Sequence, residues 1–259
     1  MGNGTTGERR AVVVGGASGI GRETCLRLAD AGWVVTVADL QGEAAGRVAE
    51  ELRGGGDPGY AHRAVDVTDE DSVRALFDGA GELDLVVTTA GTSTLGPVVE
   101  HDTAQWRHVV DVCLTGAFLV FKHGGPVVRP GGAMIAVASL NARQAGVGMA
   151  AYCAAKAGLV MLAQVTALEL GPRGVRVNTV SPGYVPTPLT EAVAQIPGLE
   201  ADYLDNTPLG RVGTTGDVAD AICFAAGAPW LTGENIDFNG GAHLGRYPDI
   251  LARATEAYS

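Results

Sequence analysis

The sequence contains little that would bind a metal ion or form disulfide bonds. Its four cysteines and five histidines are scattered over 259 residues, and no C-x-x-C or H-E-x-x-H spacing occurs. Zinc sites and disulfide frameworks need closely spaced ligands or paired cysteines. The sequence therefore predicts no metal site, and it predicts thiols that remain reduced.

Long apolar runs and positive charge are also scarce. No apolar run reaches the ~18 residues that a membrane span requires, and residues 1–8 (MGNGTTGE) lack the layout of a signal peptide. The chain has 18 basic and 29 acidic side chains, a formal charge of −11. An acidic surface repels nucleic acid and anionic lipid. We therefore expect a cytoplasmic protein with neither a nucleic-acid nor a membrane partner.

Apolar residues, by contrast, make up 46% of the chain, which is ample for a core. Short β-rich runs alternate with helix-like stretches, and this alternation is typical of a parallel sheet with helices on both faces. Strands are expected at 11–14, 33–38, 83–87, 133–138 and 175–180, and helices near 20–31, 41–53, 69–80, 101–122, 150–171 and 215–227. The sequence predicts one α/β domain over 1–259, a doubly wound, Rossmann-like sheet in three α/β/α layers.

Three segments allow predictions beyond the alternation of strands and helices. Residues 182–213 carry five prolines and predict one long irregular stretch, of which 184–213 would be an active-site lid. Thr68 and Asp71, after a third strand closed by 65–67, have the spacing of a capping box that opens the third helix. Residues 242–259 form a tail that is either frayed or in contact with a neighbouring subunit's pocket.

A glycine-rich turn follows the first predicted strand directly and reads GGASGIG over 15–21. Glycine lets the backbone approach a pyrophosphate, and the free N–H groups at a helix start attract the anion. A glycine-rich turn alone is weak evidence, but its place between strand and helix favours dinucleotide binding. The candidate contacts are Gly15, Ser18, Gly19, Ile20 and Gly21.

Asp39 ends the second predicted strand, twenty residues after Gly19. A carboxylate at this place can accept hydrogen bonds from the adenosine ribose hydroxyls, and it would repel the 2′-phosphate of NADP. Neither the turn nor Leu40 offers a cation to offset that repulsion, so NAD is favoured over NADP. Asp66 either accepts from the adenine amino group or caps the next helix.

Tyr152 and Lys156 have the spacing Y-x-x-x-K in a predicted helix, which places their side chains one turn apart on one face. A phenol transfers protons poorly at neutral pH, and a neighbouring ammonium stabilises its phenolate. Lys156 is one of only two lysines in the chain, which argues against a chance pairing. The pair predicts a site of proton transfer.

Taken in order, these motifs resemble the short-chain dehydrogenase/reductase family. The resemblance covers residues 10–241 and is specific as a conjunction, although each motif alone is not. Besides the turn, the two aspartates and the Tyr152/Lys156 pair, it includes Ala90-Gly91, Ser139, Asn178 and Pro182-Gly183.

The resemblance implies a role for each matching residue. Tyr152 would exchange a proton with the substrate oxygen, Lys156 would assist it and hold the nicotinamide ribose, and Ser139 would orient the substrate oxygen. Hydride transfer at a carbinol carbon needs such a proton donor or acceptor and a hydrogen bond to the developing oxyanion. Further cofactor contacts would come from Leu40, Val67, Ala90, Gly91, Pro182, Gly183, Val185 and Thr187. The family also implies a homotetramer or dimer.

Three positions depart from the family's pattern. Val14 replaces a threonine, and Thr88-Thr89 replaces paired asparagines, which should cost a few hydrogen bonds. Cys113 replaces the active-site asparagine whose main-chain carbonyl holds a water near the lysine. A cysteine keeps that carbonyl, so we expect Cys113 to serve the catalytic site and activity to survive.

The substrate is defined less well than the cofactor. Ser139, Asn141, Met149, Tyr152 and Tyr184 are the candidate contacts, and they suggest a moderately apolar ketone or secondary alcohol. The predicted function is hydride transfer between NAD(H) and such a substrate. One alternative is a 3-oxoacyl-carrier-protein reductase, which Asp39 and the acidic charge oppose. The other is a non-catalytic NAD(H)-sensing regulator, whose only support is Cys113.

Overall fold

Seven parallel strands form one sheet in the computed structural model, which describes residues 8–53 and 59–258. The strands are β1 (Arg9–Val14), β2 (Trp33–Asp39), β3 (Ala61–Ala64), β4 (Leu83–Thr88), β5 (Val128–Val137), β6 (Arg176–Pro182) and β7 (Asn235–Phe238). Their order is β3-β2-β1-β4-β5-β6-β7. Because the order reverses between β1 and β4, a crevice opens there at the carboxyl ends of the strands.

The central strands are apolar along their whole length because both faces of the sheet are covered. Val13 on β1 pairs in register with Val37 on β2 and with Val87 on β4, and all three side chains enter one core cluster. The alternate residues Val12 and Val86 enter the cluster on the opposite face. This arrangement confirms the predicted doubly wound, three-layer fold.

Helices cover both faces. They are α1 (Gly19–Asp30), α2 (Gly42–Leu52), α3 (Glu70–Asp78), α4 (Thr103–Val110), α5 (Gly116–Gly124), α6 (Ala150–Leu170), α7 (Glu191–Ala194), α8 (Leu199–Asp205), α9 (Thr215–Gly227) and α10 (Ile250–Tyr258). Residues of α1, α2 and α9 pack on one face of the sheet, and residues of α3, α5 and α6 pack on the other.

The third strand and the cap that follows it differ from the prediction. Strand β3 ends at Ala64, before residues 65–67, and it lies at the sheet edge with mostly exposed side chains. The capping box of Thr68 and Asp71 is wrong by one residue. Asp69 caps α3, and its side chain accepts from the Asp71 N–H at 3.0 Å, while the Thr68 hydroxyl donates to Asp66 at 2.7 Å.

The sequence predicts that the segment 182–213 is one long irregular stretch, and this prediction is wrong in part. The segment contains α7 and α8, and α8 follows Gly198, whose φ of +79° is accessible to glycine. Glu200 and Asp202 lie in the first turn of α8, where negative charge complements the helix dipole. The prolines signal breaks in the chain, but short helices form between them.

The helix expected over 101–122 is interrupted by a π turn. Helix α4 passes into a π-helical segment, Asp111–Thr115, before α5 begins. In that segment the Gly116 N–H donates to the Asp111 carbonyl, five residues earlier. Cys113 lies at its centre, and π turns often occur at functional sites.

The stretch Ala150–Arg173, which includes helix α6, is long and apolar enough to cross a membrane by length and composition. It is not an unbroken apolar run, because it contains Lys156, Glu169 and Arg173. One side of α6 covers the sheet, with Leu159 and Ala163 in the same cluster as Val12. Tyr152 and Lys156 are buried on this helix as well.

Candidate active site

A cleft of about 520 Å³ lies at the carboxyl ends of the central strands. It brings together nearly all the candidate cofactor and catalytic residues. These are Gly15, Ser18, Gly19, Ile20, Asp39, Leu40, Asp66, Val67, Ala90, Gly91, Ser139, Tyr152, Lys156, Pro182, Gly183, Val185 and Thr187. Gly21 and Cys113 are buried next to the cleft, outside its lining.

The glycine turn is held against the end of β2 and needs glycine at two positions. The N–H groups of Gly15 and Gly16 both donate to the Ala38 carbonyl, at 2.8 and 3.0 Å. Gly15 has a φ of +82°, and a β-carbon at Gly21 would lie 2.0 Å from the Gly15 carbonyl oxygen. Only glycine at 21 lets the start of α1 approach the turn this closely.

Asp39 is oriented by the backbone on both sides. Its Oδ2 accepts from the Ala17 N–H and its Oδ1 from the Gln41 N–H, both at 3.0 Å. Each carboxylate oxygen can accept further hydrogen bonds. The described residues that line the cleft include one lysine, Lys156, and no arginine. The end of the cleft beside Asp39 therefore presents a carboxylate, and its described lining supplies no arginine or lysine there.

Of the two roles that the sequence left open for Asp66, capping the next helix is wrong, because Asp69 caps α3. Asp66 lines the cleft, and its Oδ1 accepts from both the hydroxyl and the N–H of Thr68, at 2.7 and 2.8 Å. These hydrogen bonds from Thr68 hold the pKa of Asp66 below its ordinary value. Asp66 thus organises the loop before α3 as an ionised carboxylate and still faces the cleft.

The Tyr152 and Lys156 side chains lie together on the buried side of α6. The Lys156 ammonium is 5.7 Å from the centroid of the Tyr152 ring and donates a hydrogen bond to the Val137 carbonyl at 2.8 Å. Lys156 is only 3% exposed. The cleft therefore contains a phenol beside a buried positive charge.

Ser139 follows β5, two residues beyond Val137. Its Oγ accepts a hydrogen bond from the Asn141 N–H at 3.1 Å, while Asn141 Oδ1 lies 3.5 Å away. The short bond uses a lone pair of the serine oxygen, and the longer contact is weak. The Ser139 proton is therefore available to a substrate oxygen.

Thr89 and Cys113, which depart from the family's pattern, contact backbone groups at the cleft. The Thr89 hydroxyl contacts the carbonyls of Val14 and Gly15 at 3.1 and 3.0 Å. The Cys113 thiol accepts from the Thr92 N–H at 3.3 Å and contacts the Thr92 carbonyl at 3.2 Å. Thr89 and Thr92 also line the cleft and were not predicted as site residues, although they lie one and four residues after the end of β4.

Three candidate substrate contacts, Asn141, Met149 and Tyr184, lie outside the lining of this cleft, unlike Ser139 and Tyr152. Asn141 is buried, Met149 packs with Tyr152, and the Tyr184 ring stacks on Tyr203 with centroids 4.5 Å apart. Burial raises the pKa of Tyr203 to about 12. Burial, and then the charge of Glu200, raises the pKa of Tyr184. Both phenols are neutral at physiological pH.

No group of three or more histidine, cysteine, aspartate or glutamate side chains placed to hold a metal ion occurs within 8–53 and 59–258. Burial also raises the pKa of the Cys25 and Cys223 thiols, which disfavours their thiolate forms. Among the described residues, the candidate catalytic side chains Ser139, Tyr152 and Lys156 lie together in the cleft.

The chain is similar to known oxidoreductases over nearly its whole length. A family model described as enoyl-(acyl carrier protein) reductase matches residues 15–243. The chain is 40% identical to the cis-4-hydroxycyclohexanecarboxylate dehydrogenase of Sinomonas cyclohexanicum, over 90% of this chain and 96% of that protein. It is 33% identical to the 3-oxoacyl-[acyl-carrier-protein] reductase of Staphylococcus aureus, over 91% of this chain and 98% of that protein.

A solved structure agrees with these relatives. A short-chain type dehydrogenase/reductase from Mycobacterium ulcerans superposes with a TM-score of 0.92 at 32% identity, covering 96% of this chain and 95% of that chain. The comparison of sequences and the comparison of structures therefore indicate the same kind of protein.

The glycine turn generates a testable prediction. We expect Gly21→Ala to weaken NADH binding by more than about tenfold, because its β-carbon would displace the Gly15 carbonyl and distort the turn. Gly227→Ala is the matched control, since a β-carbon there meets no atom within 4 Å. Fluorescence titration with NADH measures both affinities. Equal affinities of the two variants would contradict a role for the turn in cofactor binding.

Proposed function

The chain belongs to the short-chain dehydrogenase/reductase family, and we propose that it transfers a hydride between NAD(H) and a secondary alcohol or ketone. One observation carries the proposal. A single cleft has Asp39 and the glycine turn at one end and Ser139, Tyr152 and Lys156 at the other. A dinucleotide lying along it would bring its nicotinamide to the proton-transfer residues.

The residues of the cleft suit each part of that cofactor. The turn would hold the pyrophosphate and Asp39 the adenosine ribose, with Asp66 and Val67 near the adenine. Lys156, Ala90 and Gly91 would hold the nicotinamide ribose, and Val185 and Thr187 the carboxamide. When bound, the nicotinamide supplies or accepts the hydride.

Tyr152 and Lys156 would transfer the proton, and Ser139 would bind the substrate oxygen. In alcohol oxidation the Tyr152 phenolate takes the hydroxyl proton as the carbinol hydrogen leaves with its electron pair, and in ketone reduction the phenol returns it. The Lys156 ammonium stabilises the phenolate by Coulomb attraction. Ser139 donates to the oxygen on which negative charge develops.

Cys113 would support this chemistry from behind the cleft. Its thiol is 1% exposed and contacts both backbone groups of Thr92. A buried thiol with these contacts is a poor nucleophile. We propose that Cys113 fixes the strand-end loop beside Lys156, so that activity survives the change from asparagine.

A 3-oxoacyl-carrier-protein reductase is the second candidate, favoured by the Staphylococcus aureus relative. Asp39 opposes the NADPH expected of such an enzyme, and a charge of −11 opposes docking of an acidic carrier protein. An NAD(H)-sensing regulator is disfavoured because Ser139, Tyr152 and Lys156 all meet in the cleft.

We also propose a cytoplasmic homotetramer. Helix α6 has an apolar stripe on its exposed side, formed by Met161, Val165 and Leu168, and Phe118 on α5 is exposed as well. These α6 residues recur at intervals of four and three, so they share one helix face. A second copy of the chain would cover this face.

Tyr152→Phe tests the proposed chemistry. We expect kcat to fall by about 10²–10⁴ because the proton donor is removed, while the dissociation constant for NADH changes less than twofold. Tyr60→Phe, in the core beside β2, is the control. A screen of secondary alcohols and ketones with NAD(H) and NADP(H) supplies the assay. Retained turnover in Tyr152→Phe would refute the assigned role, and NADH binding by a wild type without turnover would favour the regulator.

Asp39→Ala tests the cofactor preference. Removing the carboxylate takes away a ribose acceptor and a source of phosphate repulsion, so kcat/KM should fall with NAD and rise with NADP. We expect the ratio of the two to shift by at least about tenfold. Asp30→Ala, an exposed aspartate on α1, should leave the ratio unchanged. An unchanged ratio in Asp39→Ala would exclude Asp39 as the selecting residue.

Leu168→Asp tests the assembly. Leu168 is 80% exposed, so an aspartate should leave the subunit folded but should not tolerate burial against a second copy. Light scattering should show a tetramer for the wild type and a smaller species for the variant. Val99→Asp, also at an exposed apolar residue, should remain tetrameric. A monomeric wild type would rule out this interface.

A further inference from the structure

The C-terminal residues fold back over their own chain instead of fraying. The Arg253 guanidinium binds both carboxylate oxygens of Asp202 on α8, at 2.7 and 2.8 Å. Ile250 is buried in a cluster with Leu199 and Tyr203. The Arg246 N–H donates to Asn206 Oδ1 at 3.1 Å. The tail is therefore attached to the lid at several points.

The same tail also contacts the loop between Ser139 and Tyr152. The Gln144 amide donates to the Gly245 carbonyl at 2.8 Å. Gly146 accommodates the Tyr247 ring, since a β-carbon there would lie 2.9 Å from Tyr247 Cε1. The Tyr247 hydroxyl approaches the Met149 sulfur at 3.6 Å. Tyr247 thus reaches from the tail to the loop that carries the candidate substrate contacts.

Tyr247 joins this loop to the lid. Its hydroxyl lies 3.0 Å from that of Tyr203, and the two rings meet edge to face with centroids 5.9 Å apart. Tyr184 stacks on the other side of Tyr203. Burial, and then the neighbouring phenols of Tyr203 and Tyr152, raises the pKa of Tyr247 far above its ordinary value. The aromatic wall, defined as Tyr184, Tyr203 and Tyr247, is therefore neutral and close to the Tyr152 phenol.

The aromatic wall lies outside the cleft lining and reaches the Tyr152 end of the site through Met149, which packs with Tyr152. Ser139 and Tyr152 line the cleft there, and Asn141 and Met149 occupy the loop between them. A substrate that extended from Tyr152 past Met149 would meet the Tyr247 side chain, which contacts both this loop and the lid. A compact substrate would not extend that far.

We propose, on the basis of the hydride-transfer function above, that Tyr247 is a specificity residue that closes the substrate end of the cleft and restricts the enzyme to compact secondary alcohols and ketones. Its ring does so by volume, and its hydroxyl keeps the ring between Met149 and Tyr203. The selectivity then comes from the tail of the same chain and not from the proton-transfer residues.

The test compares cyclohexanol with 2-octanol as substrates, with NAD in excess. We expect the ratio of kcat/KM for 2-octanol to that for cyclohexanol to rise by at least about tenfold in Tyr247→Ala and less in Tyr247→Leu. Tyr247→Phe keeps the ring and should keep the ratio within about threefold of wild type, since only the hydroxyl is lost. Leu244→Ala, at a 77% exposed residue of the same tail, is the control. A residue that only supports the fold would lower both rates together.

Each outcome separates this inference from the proposed function. NADH affinity and melting temperature establish that Tyr247→Ala folds, and Tyr247→Leu replaces it in the comparison if it does not. An unchanged ratio in a folded variant, or a wild type that prefers 2-octanol, overturns the role of Tyr247 and leaves hydride transfer intact. Failure of the wild type to oxidise either alcohol or to reduce cyclohexanone overturns both.

Discussion

The burial of the Lys156 ammonium is the constraint on which the rest of the site depends. A charge removed from water must keep strong hydrogen bonds, or its burial is too costly. Among the described residues, Lys156 donates its one hydrogen bond to the Val137 carbonyl at the end of β5. That bond joins α6 to the end of β5, and Tyr152 on α6 and Ser139 after β5 line the same cleft. In the proposed function, the two remaining ammonium protons bind the nicotinamide ribose.

At the end of β4, side chains that differ from those of the family stabilise the loop that borders the cleft. Thr89 was expected to cost hydrogen bonds, yet its hydroxyl contacts two carbonyls at the end of β1. Cys113 likewise contacts both backbone groups of Thr92 from the π turn. Both side chains form hydrogen bonds with backbone groups beside the cleft. Buried backbone N–H and carbonyl groups need such partners, and different side chains can supply them. The junction therefore depends on the contacts formed, and a match to the family's residues is not required.

The parts that could be predicted from sequence are those set by local patterns. Buried parallel strands such as β1 and β4 are continuous apolar runs, and the glycine turn and the Tyr152/Lys156 pair are short motifs. The third strand was predicted too late in the chain, because a sheet edge leaves residues of β3 such as His62 and Arg63 exposed and removes the apolar signal. Helices α7 and α8 were obscured by prolines. The contact between Tyr203 and Tyr247 joins residues far apart in sequence, and no local pattern encodes it.

The two halves of the cleft differ in how they are built, and this difference bears on substrate choice. The proposed cofactor half consists of strand ends whose register is fixed by the sheet. The proposed substrate half contains Ser139 and Tyr152, and beside it the loop after Ser139, the lid and the tail meet through side chains such as Tyr247. Two relatives with similar coverage of this chain are named for a ring alcohol and for a carrier-bound acyl group. Such different substrates on one fold require that selectivity lie in segments outside the sheet. The tail is the segment of this chain that contacts both of the others.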